Sequence, residues 1–298
     1  MRWATSVSSA VVLDAARDVY ATGKDIDLTG AFVTGSPGNT VGIVKIAPQG
    51  EPLQFSANGI TNAASFNSGV PRPGGLASIF VHGLNVSGIV SAGTNTLPNE
   101  LAGVSIFVDR KPAPILAVAD IPVANPLGMQ QINFQVPLES DCFRATRLVE
   151  VRHKGVSTFA VPQVVAPGIF ILADGAPAIQ HGADYSLVTP SHPAVKGEVI
   201  IIYATGLGPV NPIVPAGTPA TGPTPVQAQC ELLFTDVGNT LYAGLTPGFV
   251  GVYQLNVRVG PTVPSGIVDL SIKMQAGWLG GQGPDNYALS NTVKLPVR

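Results

Sequence analysis

Along much of this chain apolar and polar positions alternate with a period of two. Val149 and Val151 are apolar, while Glu150 and Arg152 between and beyond them are polar. Side chains two apart share one face of a strand, so such a segment has one dry face and one wet face. Short runs of this kind, rich in Val, Ile and Thr and bounded by Gly, Pro, Asp and Asn, predict strands at 76–81, 104–108, 115–119, 130–136, 148–152, 158–161 and 169–172. A second set is predicted at 199–203, 226–234, 250–259, 268–274 and 288–297. One-sided wetting is the mark of antiparallel sheets. The first 56 residues read as a separate β-meander: an apolar run at 7–13, a turn at 14–18, a strand at 19–23 ending on Gly23, and a strand at 41–46 closed by Ala47-Pro48-Gln49-Gly50. The tract 209–225 holds six prolines and predicts an extended loop where the chain crosses from one sheet to the other.

The pattern repeats. Gly83-Leu84 is matched by Gly206-Leu207, and Gln131-Ile132-Asn133 by Gln254-Leu255-Asn256, each pair 123 residues apart. Two anchors with one spacing predict a duplicated domain. The expected organisation is residues 1–56 as the meander, 57–175 as a first β-sandwich and 176–298 as a second. Composition agrees. At 298 residues the length prior is about two domains. The 34 glycines and 27 prolines, beside 45% apolar residues, point to many short strands joined by turns. Charged residues make up only 11%, too few to coat exposed helix faces.

Charge also narrows the function. The net charge is −2, with no basic stripe and no interleaving of aromatic and basic residues, which speaks against nucleic-acid binding. No apolar run approaches the ~20 residues of a membrane-spanning helix. The first residues carry no apolar core of a secretory signal. Cys142 and Cys230 do not occupy equivalent repeat positions, which leaves two buried thiols or one bridge between the modules.

Two resemblances follow from particular residues. Asp14-Ala15-Ala16-Arg17-Asp18-Val19-Tyr20-Ala21-Thr22-Gly23, with Val44-Lys45-Ile46-Ala47-Pro48-Gln49-Gly50, resembles one unit of the bacterial SBBP β-propeller repeat. It departs at Arg17 and Asp18, where that repeat has Gly and Asn. One blade cannot close a propeller, so the expectation is a C-terminal fragment of a longer protein, or a shortened reading frame. From Gly59 onward, segments such as Gly59-Ile60-Thr61-Asn62-Ala63-Ala64-Ser65-Phe66, Gln131 to Pro137, Ala166-Pro167-Gly168-Ile169-Phe170 and Ala243 to Val257 resemble the uncharacterised C-terminal domain of secreted Solibacter proteins, a relative of the immunoglobulin-like IPT/TIG sandwich. That resemblance implies an all-β fold of two tandem sandwiches on an extracellular or cell-surface parent protein. It also implies a non-catalytic role in spacing, adhesion, or carbohydrate or protein binding.

Four groups of residues are candidates for chemistry. In each Gln-x-Asn pair, two amides share a strand face and suit a bond to a neighbouring loop. Asp25, Asp27 and Thr29, followed by Gly30, match the first half of a Ca2+ loop, but position 12 is Ser36 rather than Glu; a plain turn is the other reading. His181, Asp184, Ser186 and His192 lie between the modules, where the resembled family has Asn-like residues. They carry the types needed for acyl transfer, although no Gly-x-Ser-x-Gly elbow accompanies them. With Ca2+ they define the alternative function, hydrolysis of small esters or lactones. Trp278, in Gly277-Trp278-Leu279-Gly280-Gly281, is the candidate ligand-binding aromatic.

Overall fold

The computed structural model describes residues 53–84, 86–93, 96–120, 129–138, 144–227, 233–275 and 287–298, together with the backbone of three strands nearer the N-terminus. The chain forms two compact units, Met1–Pro52 and Leu53–Arg298. In the first, β1 (Val11–Leu13), β2 (Val19–Gly23) and β3 (Gly42–Ile46) pair antiparallel in sequence order, the meander that the alternation predicts.

The second unit holds two β-sandwiches. Among the described residues the first has ten strands: β4 (Ile60–Asn62), β5 (Leu76–Val81), β6 (Ile89–Ser91), β7 (Glu100–Leu101), β8 (Val104–Val108), β9 (Lys111–Ala113), β10 (Ile115–Asp120), β11 (Gln130–Gln135), β12 (Val149–His153) and β13 (Val156–Ala160). One layer runs β4-β5-β11-β10-β6; the other runs β13-β12-β8-β7, with β9 also on β8. Between them lies a core built from alternate residues, Ile79, Val81, Ile132 and Phe134 facing Val104, Ile106, Val149 and Val151.

The second sandwich follows with β14 (Gly168–Ile169), β15 (Ile179–His181), β16 (Val199–Thr205), β17 (Thr224–Pro225), β18 (Leu233–Thr235), β19 (Gly238–Leu245), β20 (Tyr253–Val259), β21 (Gly266–Leu270), β22 (Ile272–Gln275), β23 (Tyr287–Leu289) and β24 (Val293–Val297). A large sheet runs β14-β16-β20-β19-β18-β22-β23, with β15 beside β16 and β17 beside β19; β21 and β24 form the facing pair. Ile200, Ile202, Leu255 and Val257 of the large sheet share a second, separate core with Leu270, Leu295 and Val297. Fully burying one such side chain stabilises by roughly 1.5–3 kcal/mol, before the cost of chain ordering.

The duplication is visible in the register. Asn133 faces Ser78 and Gln131 faces Phe80 across β11 and β5. Asn256 faces Ile201 and Gln254 faces Tyr203 across β20 and β16. The repeated Gly-Leu ends the inner strand in both sandwiches: Gly83 and Gly206 take positive φ, and Leu84 and Leu207 are buried in their own cores.

Several elements differ from expectation. The proline tract joins β16 to β17, and both belong to one sheet. The chain crosses between layers elsewhere: from β20 to β21, and again at Ser271 and Ser290, where the predicted strands 268–274 and 288–297 each split in two. Ser290 fixes that corner: its hydroxyl accepts from Ile272 N at 2.8 Å and donates to Asn291 O at 2.8 Å. The eight-residue β19 was not predicted; the end of the predicted segment 226–234 enters β18, and its residues 228–232 lie outside the described residues. β19 contains Gly238, Asn239 and Gly244, which read as turn residues. A Cβ at Gly238 would lie 1.9 Å from Arg258 O, and one at Gly244 would lie 2.4 Å from Thr224 O. Neighbouring backbone fills the space of a side chain, a known use of glycine within strands.

The two sandwiches meet along a seam without room for extra atoms. Gly75 opposes Gly206, and a Cβ on Gly75 would come 2.7 Å from the Gly206 Cα. The Thr205 hydroxyl accepts from Leu76 N at 2.8 Å and donates to Gly251 O at 2.7 Å. Gln135 bridges the other side, donating to Gly74 O at 3.1 Å and accepting from Gly217 N at 2.7 Å. The proline tract is therefore a strap: Gly217 O also accepts from Leu97 N of the first sandwich. Gly75→Ala should destabilise the second unit by about 1–3 kcal/mol through overpacking, read as a lowered urea midpoint. Gly222→Ala, where a Cβ meets nothing within 4 Å, should stay within about 0.5 kcal/mol of the parent.

Candidate functional site

The four residues singled out between the modules do come together. β15 ends at His181 and a tight turn follows. Tyr185 N donates to His181 O, and Tyr185 takes the left-handed conformation at φ 60°. Asp184 holds the turn: its Oδ1 accepts from Ser186 N at 2.9 Å and from the Ser186 hydroxyl at 2.7 Å. His192 returns on the following loop, with Nδ1 3.4 Å from Ser186 Oγ and its ring stacked on His181 at 4.1 Å between centroids. His181 is buried. Its Nδ1 lies 3.0 Å from Glu198 Oε1 and its Nε2 3.2 Å from the His192 carbonyl. Glu198 Oε1 also accepts from Val195 N at 2.8 Å.

The order of contacts matters. In acyl transfer the base takes the nucleophile's proton while a carboxylate orients the base. Here the carboxylate lies on the serine and takes the hydroxyl hydrogen itself. The backbone N–H of Ser186, then its hydroxyl, hold the Asp184 carboxyl below its usual range; hydrogen bonds to the charged form favour it. The local chemistry is that of an Asx turn. Glu198, the acidic partner within the cluster, was not read from the sequence, because it lies seventeen residues from His181 and joins it only through the pairing of β15 with β16.

Beside this turn lies a feature that the sequence did not announce. Residues 199, 201 and 203 point outward from the large sheet, as do Gln254 and Asn256, since their neighbours fill the core. Across this outer face run two adjoining clefts, each of about 440 Å3, that share Tyr203 and Phe249. Tyr185 and Phe249 stand at the first cleft with 64% and 58% of their surface exposed. Gln254 and Asn256 line its floor, the Gln254 amide donating to Asn256 Oδ1 at 3.1 Å. The Gln-x-Asn pair thus bonds internally. Gln180, Ile171 and Leu187 continue into the second cleft. The Tyr203 hydroxyl donates to Gln180 Oε1 at 2.8 Å. Burial, then the neighbouring Tyr185 phenol, pushes the Tyr203 pKa up, so the hydroxyl remains a donor. Among the described residues no Asp, Glu, Lys or Arg lines either cleft. Thr246 also stands on the wall of the first cleft, and its buried hydroxyl has no protein hydrogen-bond partner.

A weak signal for this site existed. Tyr203 is aromatic at an outward position of its strand, and Phe249 follows the turn pair Pro247-Gly248. Asp25, Asp27, Thr29, Trp278, Cys142 and Cys230 lie outside the described residues. Among the described residues no three His, Cys, Asp or Glu side chains are grouped to hold a metal ion, and no helix is long and apolar enough to cross a membrane.

No family model and no curated protein matches the chain. Among solved structures, it is similar to a chimeric titin Z1Z2 carrying a decorin peptide (13% identity, 83% of this chain and 96% of that one, TM-score 0.17) and to the titin Ig tandem A164–A165 (8%, 76% and 90%, TM-score 0.17). It is also similar to the endo-fucoidan hydrolase MfFcnA4 of glycoside hydrolase family 107 (13%, 77% and 28%, TM-score 0.17). At such scores these likenesses carry no argument about activity. The fold rests on the strands themselves: an all-β chain whose second unit is a tandem of antiparallel sandwiches.

Asp184 supplies a test of the turn. Its folded pKa is depressed, so its contribution is present above the unfolded value of about 3.9 and is lost as pH falls through the folded value. The stability gap between the parent and Asp184→Ala should hold constant from pH 7 to pH 5. It should narrow below about pH 4, as followed by urea unfolding at each pH.

Proposed function

We propose that the chain is a non-catalytic binding module whose second sandwich takes a neutral carbohydrate on the outer face of its large sheet. The observation that carries this reading is the lining of the joined clefts: the rings of Tyr185, Tyr203 and Phe249, the amides of Gln180, Gln254 and Asn256, and no charged group among the described residues. A pyranose presents C–H faces that pack on aromatic rings, and hydroxyls that give and accept hydrogen bonds from amides. A few polar groups set in an apolar cleft are the ordinary anatomy of a small-ligand site. The motif residues that resemble the Solibacter C-terminal domain support an extracellular or cell-surface setting for such a module, where sandwiches hold loops at a fixed distance. The SBBP-like segment supports the same setting.

Ester or lactone hydrolysis is the second reading, and the approach of Ser186 Oγ to His192 Nδ1 speaks for it. It draws less support, because the carboxylate contacts the serine rather than the imidazole. The two readings separate in one set of assays. Cellohexaose, xylohexaose and mannohexaose are titrated into the purified chain, and chromogenic short-chain esters and lactones are offered with and without a chelator. Binding of a hexasaccharide that weakens about 3–10-fold in Phe249→Ala, without ester turnover, is the expected result. Tyr185→Gly should weaken binding similarly, since glycine adopts the positive φ of that turn without cost. Chelator-sensitive turnover lost in His181→Ala would replace this reading. Retention of a protein ligand instead of a sugar would change the ligand class.

A further inference from the structure

We infer that the first sandwich carries a second copy of the carbohydrate site, centred on Phe66, Phe80, Gln131 and Asn133. This rests on the proposal for the second sandwich and extends it to a surface that the clefts do not include. The argument starts from backbone geometry. The interval of 123 residues that relates the inner strands does not relate the turns before them; those are 119 residues apart. At that interval the hydrogen bonds correspond one for one. Phe66 N donates to Asn62 O as Tyr185 N donates to His181 O, and Asn62 N donates to Asn67 O as His181 N donates to Ser186 O. Gly69 N donates to Ile60 O as Val188 N donates to Ile179 O. The turn then rejoins the inner strand at the other interval, with Ala63 N donating to Leu76 O and Gly182 N to Val199 O.

The side chains that matter occupy matching places. Phe66 and Tyr185 are both aromatic residues in the left-handed region, at φ 56° and 60°. A bulky residue is strained there, and each chain position accepts it while leaving its ring 59% and 64% exposed. Strain that projects a ring into water is not explained by packing. Phe80 stands at the register position of Tyr203, opposite Gln131 as Tyr203 is opposite Gln254. The amide pair is present in both. In the first sandwich it is joined by Ser78, whose hydroxyl donates to Asn133 Oδ1 at 2.8 Å, while the Gln131 amide donates to the same oxygen at 2.7 Å. Ser78 replaces Ile201, and Phe80 lacks the hydroxyl of Tyr203. The first site is thus more polar on its floor and less so at its wall, which fits the same ligand class with a different sugar preference.

The seam fixes the two sandwiches as one body, so the chain would present two sites rather than one flexible pair. The test is stoichiometry. Calorimetric titration of the full chain with the hexasaccharide that binds in the panel above should give two molecules per chain. Phe66→Gly and Tyr185→Gly should each give one, with unchanged far-ultraviolet circular dichroism, and the double variant none. On an insoluble matrix of the same polysaccharide, the parent should be retained at least about 100-fold more strongly than either single variant, as two linked sites require. One molecule per chain, with Phe66→Gly silent and Tyr185→Gly inactive, would overturn the second site and leave the first intact. Absence of binding by every hexasaccharide would overturn both.

Discussion

The mutual placement of the two sandwiches depends on close approach at one seam. Gly75 faces Gly206 with no space for a methyl group between them, and Thr205 and Gln135 each accept one backbone N–H from the opposite sandwich while donating to a carbonyl of their own. Tyr253 adds a buried hydroxyl that donates to Gly208 O at 2.7 Å and lies 3.3 Å from Pro73 O. Buried polar groups satisfied across an interface specify one arrangement more sharply than apolar contact, because any slip leaves them unpaired. The interface between these sandwiches is therefore of the same character as a domain interior.

Packing also decides which parts of the fold were legible in the sequence. The inner strands were: 76–81 and 104–108 have the bounds that alternation gives, because their inward faces are dry and the register leaves no choice. The failures fall where backbone packing replaces side chains. β19 was hidden by Gly238 and Gly244, whose smallness reads as a turn but serves the approach of Arg258 and Thr224. The splits at Ser271 and Ser290 were hidden because both continuations are equally apolar; only the partner strand distinguishes one sheet from the other. The proline tract reads as a loop and is one, yet its attachment to the first sandwich through Gly217 is a long-range fact with no local trace.

The candidate site was legible in part for the same reason. His181, Asp184, Ser186 and His192 are close in sequence and close in space. Glu198 and the aromatic cleft are not local. Tyr203 becomes a wall only when Gln254 lies opposite it and Phe249 is lifted beside it by the turn at Pro247-Gly248. The duplication has also diverged here. Asn62 accepts from Ala64 N and Ser65 N and donates to Ala166 O, a neutral clasp on its turn. The corresponding His181 reaches a carboxylate and a second imidazole instead. One ancestral turn is thus held by amide chemistry in the first sandwich and by ionisable groups in the second.

The placement of Leu138 bears on how the protein is made. This residue follows β11 of the first sandwich, yet its side chain belongs to the interior of the second. The walls of that interior include Leu295 and Val297, which leave the ribosome well after Val164, the last residue of the first core among the described residues. Domains close in order of synthesis. The N-terminal sandwich is then a finished template, with Leu138 waiting on its rim, before its sibling has the residues to fold. On that order, the second sandwich would grow on a surface already in place.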